Sequence, residues 1–363
     1  NSFRTWRTEN GKQTGKEVLD EAHKYGLMVT MGIEVARERH GFDYNDEVAV
    51  KKQLELIKQE VIALKDHPAL LIWAIGNELN LRYTNPKVWD AVNDISKMIH
   101  EVDPNHLTTT PLAGISQKEI DLIKERSSDL DLLSFQMYGD LKRLPLRVKE
   151  YGWKGAYIVT EWGATGHWEV PKTEWGVPIE ENSTLKAANY LIRYKGAIEA
   201  DLLQCIGSYV FLWGNKQERT PTWYGIFLED GNETESVDVM HYIWNNKWPE
   251  NRAPQLESFT INGKTAYESI TLVAENSQTA SVKINDFEND TINYTWEILP
   301  ESTDLKHGGD LEERPKSIDM EIVNQNEGEI TFKSPKSGLY RLFVYAYDGQ
   351  GNAANANIPF KVN

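Results

Sequence analysis

Two glutamates stand where apolar runs end. Residues 70–76 read LLIWAIG, six apolar residues of seven, and Asn77 and Glu78 follow at once; YIVT at 157–160 is followed in the same way by Glu161 and Trp162. Short apolar runs bounded like these read as buried strands, so each carboxylate emerges where its strand leaves the core. In a parallel barrel the carboxyl ends of the strands line one face, and side chains there converge. A converging carboxyl pair suits glycoside hydrolysis, in which one carboxyl protonates the leaving oxygen while the other attacks the anomeric carbon or activates a water. Taken singly, either glutamate could equally be half of a salt bridge at a barrel mouth. Asn77 beside one and Trp162 beside the other favour chemistry for the pair.

Other chemistries find less support. His23, His40, His67, His100, His106, His241 and His307 form no His-x-His or His-x-x-x-His pair, which argues against a zinc hydrolase. DYNDE at 43–47 lacks the glycine and closing glutamate of a calcium loop, and reads instead as a helix N-cap at Asn45 or Asp46. GKQTGK has the wrong glycine spacing for a phosphate loop. The single cysteine, Cys205, excludes an internal disulfide framework and lies in an apolar run where a small buried thiol is expected. A net charge of −16 disfavours nucleic acid or an anionic membrane surface as partner. No apolar run is long enough to span a membrane.

The elements that must position the acids alternate in a βα pattern from residue 1 to about 250. Seven strands are predicted: SFRTW (2–6), LMVTMGIE (27–34), LLIWAIGNE (70–78), LTTTPLAG (107–114), LDLLSFQMYG (130–139), AYIVTEWG (156–163) and CIGSYVFLWG (205–214). Helices are predicted at 14–26, 46–66, 86–102 and 183–201, the second with Val48, Leu54, Ile57, Val61 and Leu64 on its apolar face. Seven strands with a lost first one make an eight-stranded (β/α) barrel, although an open doubly wound sheet fits the alternation too. The barrel is favoured because polar and aromatic residues gather at the carboxyl end of nearly every strand. After a Pro- and Asn-rich linker near 245–258, alternating runs such as SVKIND and YRLFVYAYD predict a β-sandwich of the immunoglobulin type. The expected division is thus a catalytic barrel at 1–250 and an accessory sandwich at 251–363. Eleven of the twelve tryptophans precede the sandwich, which puts the chemistry in the barrel; Trp296, the exception, is expected in the sandwich core.

WAIGNE followed later by VTEWG, with RTW on an early strand and LWG on the last, resembles clan A of the glycoside hydrolases, the retaining (β/α) barrel enzymes. The resemblance implies that Glu78 is the acid/base, Glu161 the nucleophile and Asn77 a hydrogen-bond donor to the sugar 2-hydroxyl. It also places SFRTW on the second strand of the barrel, so that the first is expected to be missing from this chain, a departure that leaves two sheet edges. Within the clan, the separation of the glutamates, the opening NSFRTW and the trailing YRLFVYAYDGQGNAANANIPF are most similar to family 158, the endo-β-1,3-glucanases acting on laminarin-type glucans.

Further substrate contacts follow by position. Arg4 is expected to hydrogen-bond the nucleophile, Tyr138 to hold its other oxygen or position the sugar, and Trp213 to lie flat beneath the sugar at the cleavage point, since a pyranose face is lined with C–H groups that stack on an aromatic ring. The long loop after Glu161 should add His167, Trp168 and Trp175, and the loop after the last strand Trp223 and Tyr224. Glu34, Arg37 and Arg82 are weaker candidates. The expectation is a monomeric, cofactor-independent β-glucan hydrolase, secreted, periplasmic or cell-surface, with its export signal absent from this chain. Its rivals are another clan A β-glycosidase or β-mannanase, and a carbohydrate-binding protein without turnover.

Overall fold

The computed structural model describes residues 1–363, and the chain groups into two compact units, Asn1–Trp162 with Gly196–Val210 and Gly163–Lys195 with Phe211–Asn363. This grouping differs from the 1–250 and 251–363 division drawn from sequence texture. The segment after Glu161 and the helix that follows it are grouped with the sandwich.

In the first unit, β1 (Ser2–Arg4), β2 (Met28–Ile33), β3 (Leu70–Ile75) and β4 (Leu107–Thr109) form one parallel sheet in that order. β5 (Pro111–Ala113), β6 (Leu133–Gln136), β7 (Tyr157–Gly163) and β8 (Cys205–Phe211) form the second. Only Thr110 separates β4 from β5, and its hydroxyl donates to the Ile75 carbonyl at 2.8 Å, so the predicted strand 107–114 is one stave that changes sheet midway. The seven predicted strands are therefore all present. β1 and β8 are the outer strands of their sheets. Between them runs a side-chain contact rather than a ladder: Ser2 Oγ of β1 donates to the Tyr209 hydroxyl of β8 at 3.3 Å, and that hydroxyl also lies 2.7 Å from Thr30 Oγ1 of β2. The barrel is open at that seam.

Helices α1 (Gly15–Lys24), α2 (Glu47–Leu64), α3 (Lys87–Val102), α4 (Gln117–Arg126) and α5 (Leu144–Glu150) connect the staves. Of the two cap candidates in DYNDE, Asp46 is the cap, accepting from the Val48 and Ala49 amides at 3.0 and 3.1 Å, as an N-cap carboxylate does. Ile57, Val61 and Leu64 face the core at helical spacing, whereas Val48, in the first turn, is exposed. Val29, Met31, Trp73, Ile75, Leu133, Phe135 and Val159 fill the interior. Burial pushes the Cys205 thiol up to about 11, which makes it a packing residue. No helix is long and apolar enough to cross a membrane.

The second unit contains α6 (Ser183–Arg193), α7 (Glu235–Asn245) and eight strands: β9 (Gln255–Ile261), β10 (Thr271–Leu272), β11 (Ser277–Asn285), β12 (Asn293–Pro300), β13 (Ile322–Asn326), β14 (Glu329–Lys333), β15 (Gly338–Tyr347) and β16 (Ala353–Val362). They make two four-stranded sheets, ordered β10-β16-β15-β12 and β13-β14-β11-β9. Their inner faces share one apolar core that includes Ile261, Ala280, Phe332, Leu342, Val344, Ile358 and Phe360, which is the construction of a sandwich. Trp296 sits in that core, 5.9 Å from the Phe259 ring.

One glycine in the first unit has a direct bearing on the site. The chain after β1 crosses Gly32 of β2 so closely that a Cβ there would fall onto the Trp6 carbonyl carbon and lie 2.5 Å from Thr5 O, while the Gly32 amide donates to Thr5 Oγ1 at 3.0 Å. Backbone atoms cannot yield as a side-chain tip can. Gly32→Ala is expected to cost roughly 2 kcal/mol or more, read as a lower urea midpoint with unchanged slope, and to displace Trp6.

Candidate active site

β3 stops at Ile75, three residues short of the predicted end, because the chain turns. Gly76 and Glu78 both adopt left-handed backbone, with φ of +71° and +52°, and a Cβ at 76 would lie 2.6 Å from Leu79 Cδ1. Glycine takes that conformation freely, whereas for a glutamate it costs about 1–2 kcal/mol. The turn is held by the Glu78 amide donating to Pro111 O at 3.0 Å and by the Leu81 amide donating to Glu78 O at 3.0 Å. It delivers Asn77 and Glu78 just beyond the carboxyl end of β3.

Glu161 lies within β7, buried, and three donors converge on its carboxylate. Arg4 Nη1 donates to Oε1 at 2.8 Å, Trp6 Nε1 donates to the same oxygen at 3.0 Å, and the Tyr138 hydroxyl donates to Oε2 at 2.9 Å. The other arm of the Arg4 guanidinium reaches Asn77 Oδ1 at 2.5 Å, and Gln136 Nε2 donates to that oxygen at 2.8 Å. Two donors thus occupy the Asn77 amide oxygen, which fixes the orientation of the amide. A register shift between Phe135 and Gln136, where β6 meets β7, accompanies the placing of Gln136 opposite Glu161.

The structure therefore brings Arg4, Asn77, Tyr138 and Glu161 together by direct hydrogen bonds, as the sequence suggested, and adds Trp6 and Gln136, which it did not. Each missed residue stands two places from a recognised one, Trp6 from Arg4 and Gln136 from Tyr138. Spacing of two in an extended chain shares a face, so strand parity was a signal available for both. Glu34 and Arg37 pair with each other at 2.8 Å, and Arg37 Nε donates to the Asn77 carbonyl at 3.2 Å, a supporting role rather than a ligand-facing one.

Arg82, in the first unit, adopts left-handed backbone with φ +57°, and the other candidates belong to the second unit. The His167 ring meets Trp168 at 4.9 Å and Trp223 at 6.0 Å between centroids, edge to face. Trp168 is 57% exposed and offers an aromatic face to solvent. Trp223 corrects the expectation of a sugar contact: it is 1% exposed, and its Nε1 donates to Thr165 O at 2.9 Å, so it backs the wall from behind. Tyr224 is buried likewise, with the His167 amide donating to its hydroxyl at 3.2 Å. Trp213 is 55% exposed and lies against Phe227 and Trp244, at 5.1 and 5.8 Å.

Behind these residues lies a buried ionic hub. Glu180 accepts from Lys186 Nζ at 2.5 Å, Thr220 Oγ1 at 2.5 Å, Thr222 Oγ1 at 2.9 Å and Asn357 Nδ2 at 2.5 Å. Burial alone would raise its carboxyl, but the Lys186 charge, the hydrogen bonds and Arg341 bring it below the ordinary value. Arg341, fully buried in β15, donates to Pro178 O at 2.7 Å and pairs with Glu301 at 2.9 Å. The segment following β7, the segment following β8 and the sandwich are thus tied through one polar centre.

Residues 11–166, which include Asn77, Glu78 and Glu161, match the family model described as glycosyl hydrolases family 2, TIM barrel domain. Over those residues the chain is similar to a glycosyl hydrolase barrel domain. The family named is 2, whereas the sequence resemblance pointed to family 158; the two agree on a glycoside hydrolase barrel. No curated protein matches the chain. Solved structures of similar fold include an FMN-binding beta-glucuronidase from Facaelibacterium prausnitzii L2-6 (14% identity, TM-score 0.50, covering 100% of this chain and 50% of that one). Another is a Bifidobacterium dentium beta-glucuronidase complexed with coumarin-3-O-glucuronide (17%, TM-score 0.52, 67% of this chain and 40% of that one). At these identities the likeness concerns the fold. The chain spans 42% of the length of Bacteroides uniformis beta-glucuronidase 2 (15% identity, TM-score 0.49, 100% of this chain).

Tyr138→Phe removes one donor from Glu161 while leaving the ring in place. Under the hydrolase reading proposed below, turnover of a β-glycoside is expected to fall about ten- to a hundredfold with the melting temperature within a few degrees of wild type. Arg4→Lys, which cannot span Glu161 and Asn77 together, is expected to lower both turnover and melting temperature.

Proposed function

We propose that the chain is a retaining β-glycoside hydrolase in which Glu161 is the nucleophile and Glu78 the acid/base. The observation that carries the reading is the convergence of Arg4, Trp6 and Tyr138 on Glu161, with Asn77 Oδ1 taken up by Arg4 and Gln136. In the first step a Glu161 oxygen bonds to the anomeric carbon as the glycosidic C–O bond breaks, and the Glu78 proton passes to the leaving oxygen. In the second, water attacks the glycosyl-enzyme, Glu78 takes its proton, and the Glu161 ester is released. Asn77 Nδ2 donates to the sugar 2-hydroxyl, a contact that strengthens in the transition state. These residues carry out both steps without a cofactor.

For substrate, we infer endo-action on β-1,3-glucan, supported by the resemblance of NSFRTW, WAIGNE, VTEWG and the trailing sandwich sequence to family 158. A second reading, an exo-acting β-glycosidase that releases single sugars, is equally compatible with the glycosyl hydrolase barrel match over residues 11–166. Laminarin, mannan, mixed-linkage glucan and aryl β-glycosides incubated with the protein separate the two in one time course. Mixed oligosaccharides from laminarin are expected; monosaccharide alone would replace the endo reading with the exo one, and no product from any substrate would leave a binding protein. Glu161→Gln is expected to lower kcat by more than about a thousandfold on whichever substrate is cleaved.

A further inference from the structure

We propose that Arg219, anchored by Glu312 of the β-sandwich, is a positioning residue that orients the His167 imidazole so that its Nε2–H and the Glu218 carboxylate act as a donor–acceptor pair for one sugar hydroxyl. The proposal rests on the reading above that this barrel cleaves a glycan, and it gives the sandwich a part in recognising that glycan.

The anchor is bidentate and buried. The Arg219 amide donates to Glu312 Oε2 at 2.6 Å and Nη1 to Oε1 at 2.9 Å, while Nη2 donates to Lys306 O at 3.1 Å. The Glu312 side chain has no exposure, and its Oε1 also accepts from the Lys306 amide at 2.9 Å. Arg219 adopts left-handed backbone, φ +64°, a conformation that a residue without a glycine's freedom keeps only where its surroundings hold it. Glu312 and Lys306 lie in the long segment between β12 and β13, so the sandwich supplies the anchor.

These bonds leave Nε of Arg219, which donates to His167 Nδ1 at 3.4 Å. A donor at Nδ1 makes that nitrogen the acceptor and puts the proton of a neutral ring on Nε2. Burial, followed by the Arg219 charge, pushes His167 down to about 4, so the ring is neutral at physiological pH. Nε2 then lies 3.9 Å from Glu218 Oε1, too far for a direct hydrogen bond. Glu218 is itself fixed: Lys216 Nζ donates to its Oε2 at 3.0 Å and to Gly309 O of the same sandwich segment at 2.7 Å. A hydroxyl can accept from Nε2–H and donate to Oε1 at once, which a sugar hydroxyl does and an apolar group does not. Trp168, packed on the His167 ring and more than half exposed, supplies the flat surface on which such a sugar would stack.

The test uses two readouts on the full chain. The imidazole 15N shifts of His167, assigned by their loss in His167→Gln, report the tautomer without any turnover. Wild type is expected to carry its proton on Nε2, and Arg219→Lys to give a mixture. On the substrate cleaved fastest, Arg219→Lys, Glu312→Gln and His167→Gln are each expected to raise KM about five- to tenfold with kcat within about twofold, and Arg219→Lys is expected to add nothing to His167→Gln. Proton placement on Nδ1 in wild type, or independent multiplication of the two KM effects, would overturn the proposal. Glu312→Gln preserves the shape of the anchor, so it covers the case in which Arg219→Lys fails to fold. If wild type cleaves nothing, the hydrolase reading fails, and the tautomer measurement still decides this one.

Discussion

The Arg4 guanidinium is the constraint on which the site depends. It projects from the end of β1, and its two arms reach partners carried by different sheets, Nη1 on Glu161 of β7 and Nη2 on Asn77 beyond β3. Both members of the ion pair are nearly buried, with side-chain exposures of 4% and 8%. Burying such charges is costly, and removing one partner leaves the other uncompensated at about 3–5 kcal/mol. The rest of the site follows from satisfying this pair. Trp6 and Tyr138 complete the shell of Glu161, Gln136 shares Asn77 Oδ1 with Arg4, and the two left-handed residues at 76 and 78 turn the chain so that Asn77 can meet the guanidinium.

The second unit shows the same logic on a larger scale. A strand end fixes Glu161 to within the precision of a sheet, but the segment that follows it has no ladder to hold it. Glu180 and Arg341 supply the hold instead, joining that segment to α6, to the stretch after β8 and to the sandwich. A sandwich connected by buried ionic bonds of this number is part of the framework that supports the His167 wall. This accounts for the grouping of residues 163–195 with the sandwich in one compact unit.

Much of this was legible in the sequence. Apolar runs gave the seven staves, because a strand buried on both faces must be apolar, and the acid at the end of such a run is conspicuous for the same reason. Glu161 was therefore readable as a strand-end carboxylate, as were its partners Arg4 and Tyr138 by position. The end of β3 was not, since a glycine followed by Asn-Glu continues the strand in composition while the backbone turns at Gly76. Glu180 was hidden more deeply: PIEENS reads as a solvated acidic turn, and only the tertiary structure shows Lys186 and Asn357 closing over one of its carboxylates. Trp223 failed in the opposite sense. Its composition suited a sugar platform, but burial and its bond to Thr165 give it to the core of the wall.

The role proposed for Glu161 as nucleophile is tested most directly by a covalent adduct. A 2-deoxy-2-fluoro β-glycosyl fluoride matched to the substrate the protein cleaves slows both chemical steps, while its good leaving group lets the first outrun the second, so the glycosyl-enzyme accumulates. Intact mass should rise by one fluoroglycosyl group as activity is lost, and peptide mapping should place it on Glu161, with Glu161→Gln remaining unlabelled. Adduct on another residue, or none while the protein turns over its substrate and the reagent competes for the site, would contradict the account.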